Sequence, residues 1–106
     1  LTLLWKKNYI PMILSGAKTA TRRRSRPRIK EGGVYNIRTG FFEHLQESIR
    51  VDRLYTQRLG EVSGEDARRE GAKSLREFIA DWENLYGAWD PEEAVWVVEF
   101  RLETGR

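Results

Sequence analysis

Ala94-Val-Trp-Val-Val-Glu-Phe-Arg-Leu-Glu103 is the run that decides how this chain folds. Strict alternation puts Trp96, Val98, Phe100 and Leu102 on one face of an extended segment. Val95 and Val97 make the other face apolar for part of its length. A strand buried on both faces belongs in the middle of a sheet. The rest of the sequence must then supply neighbours for its edges and cover for its faces.

Just upstream, Leu75, Phe78, Ile79, Trp82, Leu85 and Tyr86 recur at helical spacing and form one apolar stripe. Ser74 with Glu77 marks the helix start, and Gly87 closes it. The stripe reads as core, not as a cofactor face. Ser63-Gly-Glu-Asp66 starts a shorter helix, expected over Gly64 to Glu70 and stopped by Gly71. Ser48 to Leu59 is a long β pattern in which Leu54 and Tyr55 disturb the alternation set by Ile49 and Val51, as a bulge would. Val34 to Thr39 suits a strand with Tyr35 and Ile37 on one face, ended by Gly40; Phe41 to Gln46 is either a hairpin tip or one helical turn.

Thr19 to Arg24 suits an extended edge strand, broken by Ser25-Arg-Pro-Arg28. Before it, Asn8 is placed to cap a helix with Pro11 in its first turn and Gly16 at its end. Leu1 to Trp5 suits a first strand. Strands interspersed with short helices define an α+β class. A small, partly closed β-barrel of about five to six strands flanked by about three short helices buries such strands economically.

A chain of 106 residues, 40% hydrophobic and 33% charged, reads as one globular domain over 1–106. No apolar run reaches the roughly 20 residues of a membrane span, and the opening residues lack a leader pattern, so a cytoplasmic monomer without membrane contact is expected. With no cysteine and a single histidine, His44, neither a thiolate metal site nor a Ser-His-Asp relay with a spare imidazole can be built, and no metal or cofactor is expected. The net charge of +3 is uneven: residues 1–60 hold 13 Lys/Arg against 4 Asp/Glu, and residues 61–106 hold 6 against 12. That polarity suits a directed encounter with an anion.

The positive charge concentrates between Lys18 and Lys30, where Lys18, Arg22, Arg23, Arg24, Arg26, Arg28 and Lys30 occur without an acid. Like charges so close repel one another, and a polyanion relieves the repulsion. The run begins with small residues and hydroxyls, Gly16-Ala-Lys-Thr-Ala-Thr21, which let a backbone pass near a ligand.

Gly16-Ala17-Lys18-Thr19-Ala20-Thr21-Arg22 resembles the Gly-x-Lys-x-x-Thr-x-Arg signature of the ASCH family, with the last basic position one residue early or at Arg23. The Ala67-to-Gly71 helix end, the Ser74-to-Tyr86 helix and the closing Val-Trp-Val-Val-Glu-Phe strand are similar to that family too, so the resemblance covers nearly the whole chain. It implies a PUA-like barrel with a cleft for RNA. In small bacterial members of similar motif that hydrolyse N4-acetylcytidine, a lysine, a threonine and a glutamate do the chemistry; the matching positions are Lys18, Thr21 and Glu70.

Two functions from different classes follow. In the first, a basic cleft binds RNA or a modified nucleotide, with Lys18, Arg22, Arg23, Arg24, Arg26 and Arg28 on phosphates. Trp89, Tyr35 and Phe41 are candidate stacking surfaces, with a core role as the alternative for each. In the second, Thr21 is a nucleophile, a desolvated Lys18 takes its proton, and Glu70 orients the lysine or carries a proton to the leaving amine. Against both stands a structural alternative, in which a Lys18–Glu70 ion pair ties a loop to a helix end. The dense arginine run favours a phosphorylated or polymeric ligand. A third reading, an acidic second half that docks a basic protein, has no named partner in the sequence.

Overall fold

The computed structural model describes residues 3–40 and 42–103. Its centre is a four-stranded antiparallel sheet in the order β1-β4-β3-β2, formed by β1 (Ala20–Arg23), β2 (Val34–Arg38), β3 (His44–Arg58) and β4 (Ala94–Glu103). The β4 strand lies between β1 and β3, as its two apolar faces require. Among the described residues three α-helices accompany the sheet: α1 (Ile10–Ser15), α2 (Gly64–Arg69) and α3 (Leu75–Tyr86). Among the described residues no helix is long and apolar enough to cross a membrane.

The two faces of β4 feed two separate hydrophobic clusters. Val98 and Phe100 join Leu3, Trp5, Ile13, Ile29, Ile37, Ile49 and Val51 on one side. Val95 joins Leu59, Val62, Ala67, Phe78 and Trp82 on the other. A bulge keeps the first cluster continuous. Val51 pairs with Phe100 and Arg53 with Glu99, so Asp52 is the extra residue. Leu54 consequently falls opposite Val98, on the same face as Val51, where simple alternation would put it on the other.

Helix ends follow local chemistry. Ser63 and Ser74 accept hydrogen bonds from the backbone N–H groups of Asp66 and Glu77. The α1 helix has Pro11 in its first turn and ends at Gly16 with φ of 86°. Asn8 is not its cap: a short 3₁₀ turn over Lys7–Tyr9 precedes the helix, and Tyr9 takes the cap position without a side-chain hydrogen bond.

The expected barrel of five to six strands is not formed by the described residues, whose sheet has four strands. Two features account for the difference. The strand expected over Ser48 to Leu59 begins earlier, at His44, and takes in the end of the stretch from Phe41 to Gln46, which therefore adds no separate strand. The amino-terminal segment supplies one parallel bridge, Leu4 to Arg38, with the Trp5 N–H donating to the Arg38 carbonyl at 2.9 Å. Leu1 and Thr2, part of the expected first strand, lie outside the described residues.

Candidate functional site

The α2 helix ends against the free edge of β1. The Thr19 N–H donates to the Arg69 carbonyl at 2.7 Å, and the next residue, Glu70, is buried. Gly71 makes this approach feasible. Its φ of +98° suits glycine, and a Cβ there would stand 3.0 Å from Met12 Cε and 3.1 Å from Met12 Sδ. The α1 end, the β1 edge and the α2 end therefore converge.

At that convergence Lys18, Thr21, Arg22 and Glu70 are buried, at 3, 5, 5 and 8% exposure. Lys18 Nζ donates to the Glu70 main-chain carbonyl at 2.7 Å and to Glu70 Oε1 at 3.2 Å. It also sits 4.6 Å from the centre of the Tyr9 ring. Burial pulls the Lys18 ammonium below its ordinary pKa of 10.5, with the Glu70 charge acting the other way. Arg22 Nη1 donates to Glu70 Oε2 at 2.9 Å. The carboxylate of Glu70 is thus shared by two buried cations.

Pairing with β4 sorts the arginines. Thr21 lies opposite Val98, Arg22 opposite Val97 and Arg23 opposite Trp96, so Arg22 points to the other face from its two neighbours. Its Nε and Nη2 donate to Gln57 Oε1 at 3.0 and 2.9 Å, and Nη2 lies 3.8 Å from Asp66 Oδ2. Those contacts tie Arg22 to Gln57, Asp66 and Glu70 within the fold. Arg23 stacks over Trp5 at 5.1 Å and donates from Nε to Thr21 Oγ1 at 3.1 Å. Arg24 is exposed, donates to Glu93 at 2.6 and 3.1 Å, and lies over the Tyr86 ring. Buried Pro27 and Ile29 alternate with exposed Arg26, Arg28 and Lys30, an open row of cations that make no ion pair among the described residues.

Lys18, Thr21 and Glu70 line one cleft of about 200 Å³ together with Arg22 and Arg23. Its walls combine Trp5 and Tyr9 with Phe78, Trp82, Leu85 and Tyr86 of α3, so it lies where the two hydrophobic clusters meet. Arg26 and Arg28 do not line it; they border a separate, shallower depression with Lys30 and Tyr35. The polar floor offers a hydroxyl, a buried amine and a carboxylate, and the walls offer flat apolar surface. A planar ligand with a polar edge fits that chemistry.

Sequence reasoning placed the aromatic surface elsewhere. Trp89 packs edge-on against Phe78 and Trp82, and the Tyr35 hydroxyl accepts from the Lys30 N–H at 3.0 Å. Phe41 lies outside the described residues. The α3 stripe is core through Phe78 and Trp82, yet its outer flank also forms the cleft wall. One signal was available. Asp81 is three residues from Phe78 and four from Leu85, so an acid borders the apolar stripe of α3 on the flank that carries Leu85.

No family model and no curated protein matches the sequence. Solved structures match the fold. The crystal structure of an ASCH domain from Lactobacillus crispatus JV V101 aligns with a TM-score of 0.67 at 19% identity, over 87% of this chain and 68% of that one. A DUF984 protein from Enterococcus faecalis V583 aligns with a TM-score of 0.59 at 23% identity, over 87% of this chain and 64% of that one. The chain has an ASCH-like α+β fold.

Proposed function

We propose that the cleft takes a single modified pyrimidine, as nucleoside or nucleotide, and hydrolyses its acyl amide, with N4-acetylcytidine as the type substrate. One observation carries this reading: Lys18, Thr21 and Glu70 are all buried in one aromatic-walled cleft. Isolating three such polar groups from water is costly, and active sites accept that cost more often than scaffolds do.

The chemistry follows from the contacts. Thr21 Oγ1 accepts the Arg23 N–H, which leaves its own proton free for transfer and sets a guanidinium beside a developing alkoxide. Desolvation favours the neutral Lys18 amine, the form that accepts that proton. Thr21 Oγ1 adds to the acyl carbon, the C–N bond breaks, and the proton held by Lys18 passes to the departing ring amine. Water then cleaves the threonyl ester, so one water is consumed and cytidine and acetate are released. Glu70 holds the lysine in place throughout.

The test is incubation of purified protein with N4-acetylcytidine, with cytidine followed by chromatography. Turnover that disappears in Lys18→Met and in Thr21→Val, both still folded, supports the reading. An untouched substrate after a day removes it.

A second reading, binding of an RNA strand, is favoured by the row of Arg26, Arg28 and Lys30. Buried Pro27 and Ile29 anchor this segment between the three cations, and it presents them to solvent around a bend at Arg28. Such a row suits a phosphate backbone whose base occupies the cleft. Titration of single-stranded RNA at two salt concentrations tests it.

A further inference from the structure

Within the cleft the charges divide into satisfied and unsatisfied groups. Lys18 and Arg22 are matched by Glu70. Arg23 lines the cleft with no carboxylate in ion-pair range among the described residues, its Nε donating to Thr21 Oγ1. Lys6 stands exposed at the rim. Asp81 also lines the cleft, and it makes no hydrogen bond or ion pair among the described residues. It stands on the exposed flank of α3, beside the stripe that carries Phe78, Trp82 and Leu85. Its charge reaches the Tyr9 hydroxyl, whose pKa is raised first by burial and then by Asp81. The Tyr9 ring in turn carries Lys18 on its face. An unpartnered acid therefore faces the same space as the lysine and threonine.

A base held between aromatic walls can be distinguished only at its edges. An ionised carboxylate accepts hydrogen bonds and donates none. At position 4 of a pyrimidine it therefore welcomes an N–H and repels a carbonyl oxygen. We propose that Asp81 is the specificity-determining residue of the cleft, accepting the N–H on position 4 of a pyrimidine ring and thereby selecting 4-amino and 4-acylamino pyrimidines over 4-oxo pyrimidines. Arg23 complements it as the donor to an acceptor on the same ligand. The inference rests on the cleft's being a nucleobase site and adds the means by which that site chooses. It assigns Asp81 a positioning and selecting role and no part in bond breaking.

The experiment compares cytidine and uridine binding to the wild-type chain and to Asp81→Asn, read by quenching of tryptophan fluorescence and by calorimetry. Asp81 is exposed on α3, so Asp81→Asn leaves the thermal transition in place. The wild type is expected to bind cytidine about tenfold or more tighter than uridine, the value of one charge-assisted hydrogen bond. An asparagine amide both donates and accepts, so Asp81→Asn brings the two affinities within about twofold, mainly by improving uridine. A merely structural role for Asp81 would not move that ratio. Equal binding of both nucleosides by the wild type, or a cytidine preference that survives Asp81→Asn, overturns the inference and leaves the base-binding reading standing. Failure of both nucleosides to bind removes that reading and the inference with it.

Discussion

Lys18 and Glu70 are joined twice, once through the main-chain carbonyl at 2.7 Å and once through the carboxylate at 3.2 Å. The carbonyl bond fixes the ammonium to the end of α2. The carboxylate then has its second oxygen free for Arg22, at 2.9 Å. Glu70 is consequently the common partner of two cations drawn from the β1 edge.

Removing that partner should cost far more than removing either cation. Glu70→Ala leaves buried Lys18 without its carboxylate and Arg22 with only the more distant Asp66, and loss of about 3–5 kcal/mol in urea unfolding is expected. Lys18→Met leaves Glu70 paired with Arg22 and should cost distinctly less. Equal losses would show that the two cations do not depend on one group.

Turnover should rise with pH through an inflection below 10.5, because burial lowers Lys18 and its neutral form is the base. The kcat/KM profile for N4-acetylcytidine checks this, and a rate that falls across the alkaline limb contradicts it. Stability obeys the same shift. Between the depressed folded value and 10.5 the folded chain holds this proton less than the unfolded chain does, so the Lys18 contribution grows with pH and is lost as pH falls through the folded value. Tyr9 and Tyr55, both raised above 10.0 chiefly by burial, act with the opposite sign as pH climbs past 10.0.

Gly71→Ala should disturb the site without touching a reacting group. The residue would adopt φ of +98° and press on Met12, a strain of about 1–3 kcal/mol. Differential scanning calorimetry should show a melting temperature lower by about 4 °C or more. An unchanged transition would mean that the α2 end relaxes away from α1.

If single-stranded RNA binds, its salt dependence should locate the contacts. Each of Arg26→Ala, Arg28→Ala and Lys30→Ala should reduce the slope of log K against log salt by about 0.7. Arg24→Ala should change it less, because Glu93 already neutralises that guanidinium. Identical slopes for all four variants would place the strand elsewhere.

Local signals made much of the fold legible. Ser63, Ser74, Gly16 and Gly87 act within a few residues of themselves, and they stand at helix ends as expected. The doubly apolar β4 announced a central strand and became one. Sheet closure was not legible, because it depends on where Leu4 and the two ends of β3 meet distant partners. The division of the arginine run was not legible for a related reason. Composition treats Arg22, Arg23 and Arg24 as one patch, whereas pairing with β4 gives Arg22 to Gln57 and Glu70 and gives Arg23 to Trp5. Trp5 and Tyr9 join the cleft through long-range packing that no periodicity encodes.

Neighbouring positions of β1 thus hold different trades, Arg22 bonded to Gln57 and Glu70 and Thr21 presenting its hydroxyl to the cleft. With the slots against β4 unchanged, one residue removed from the connector between Gly16 and Thr19 would bring Arg22 into the threonine's berth, and one residue added would wall the Thr21 hydroxyl in beside Gln57. Connector length is therefore as much a determinant of what this pocket can do as the residues that line it.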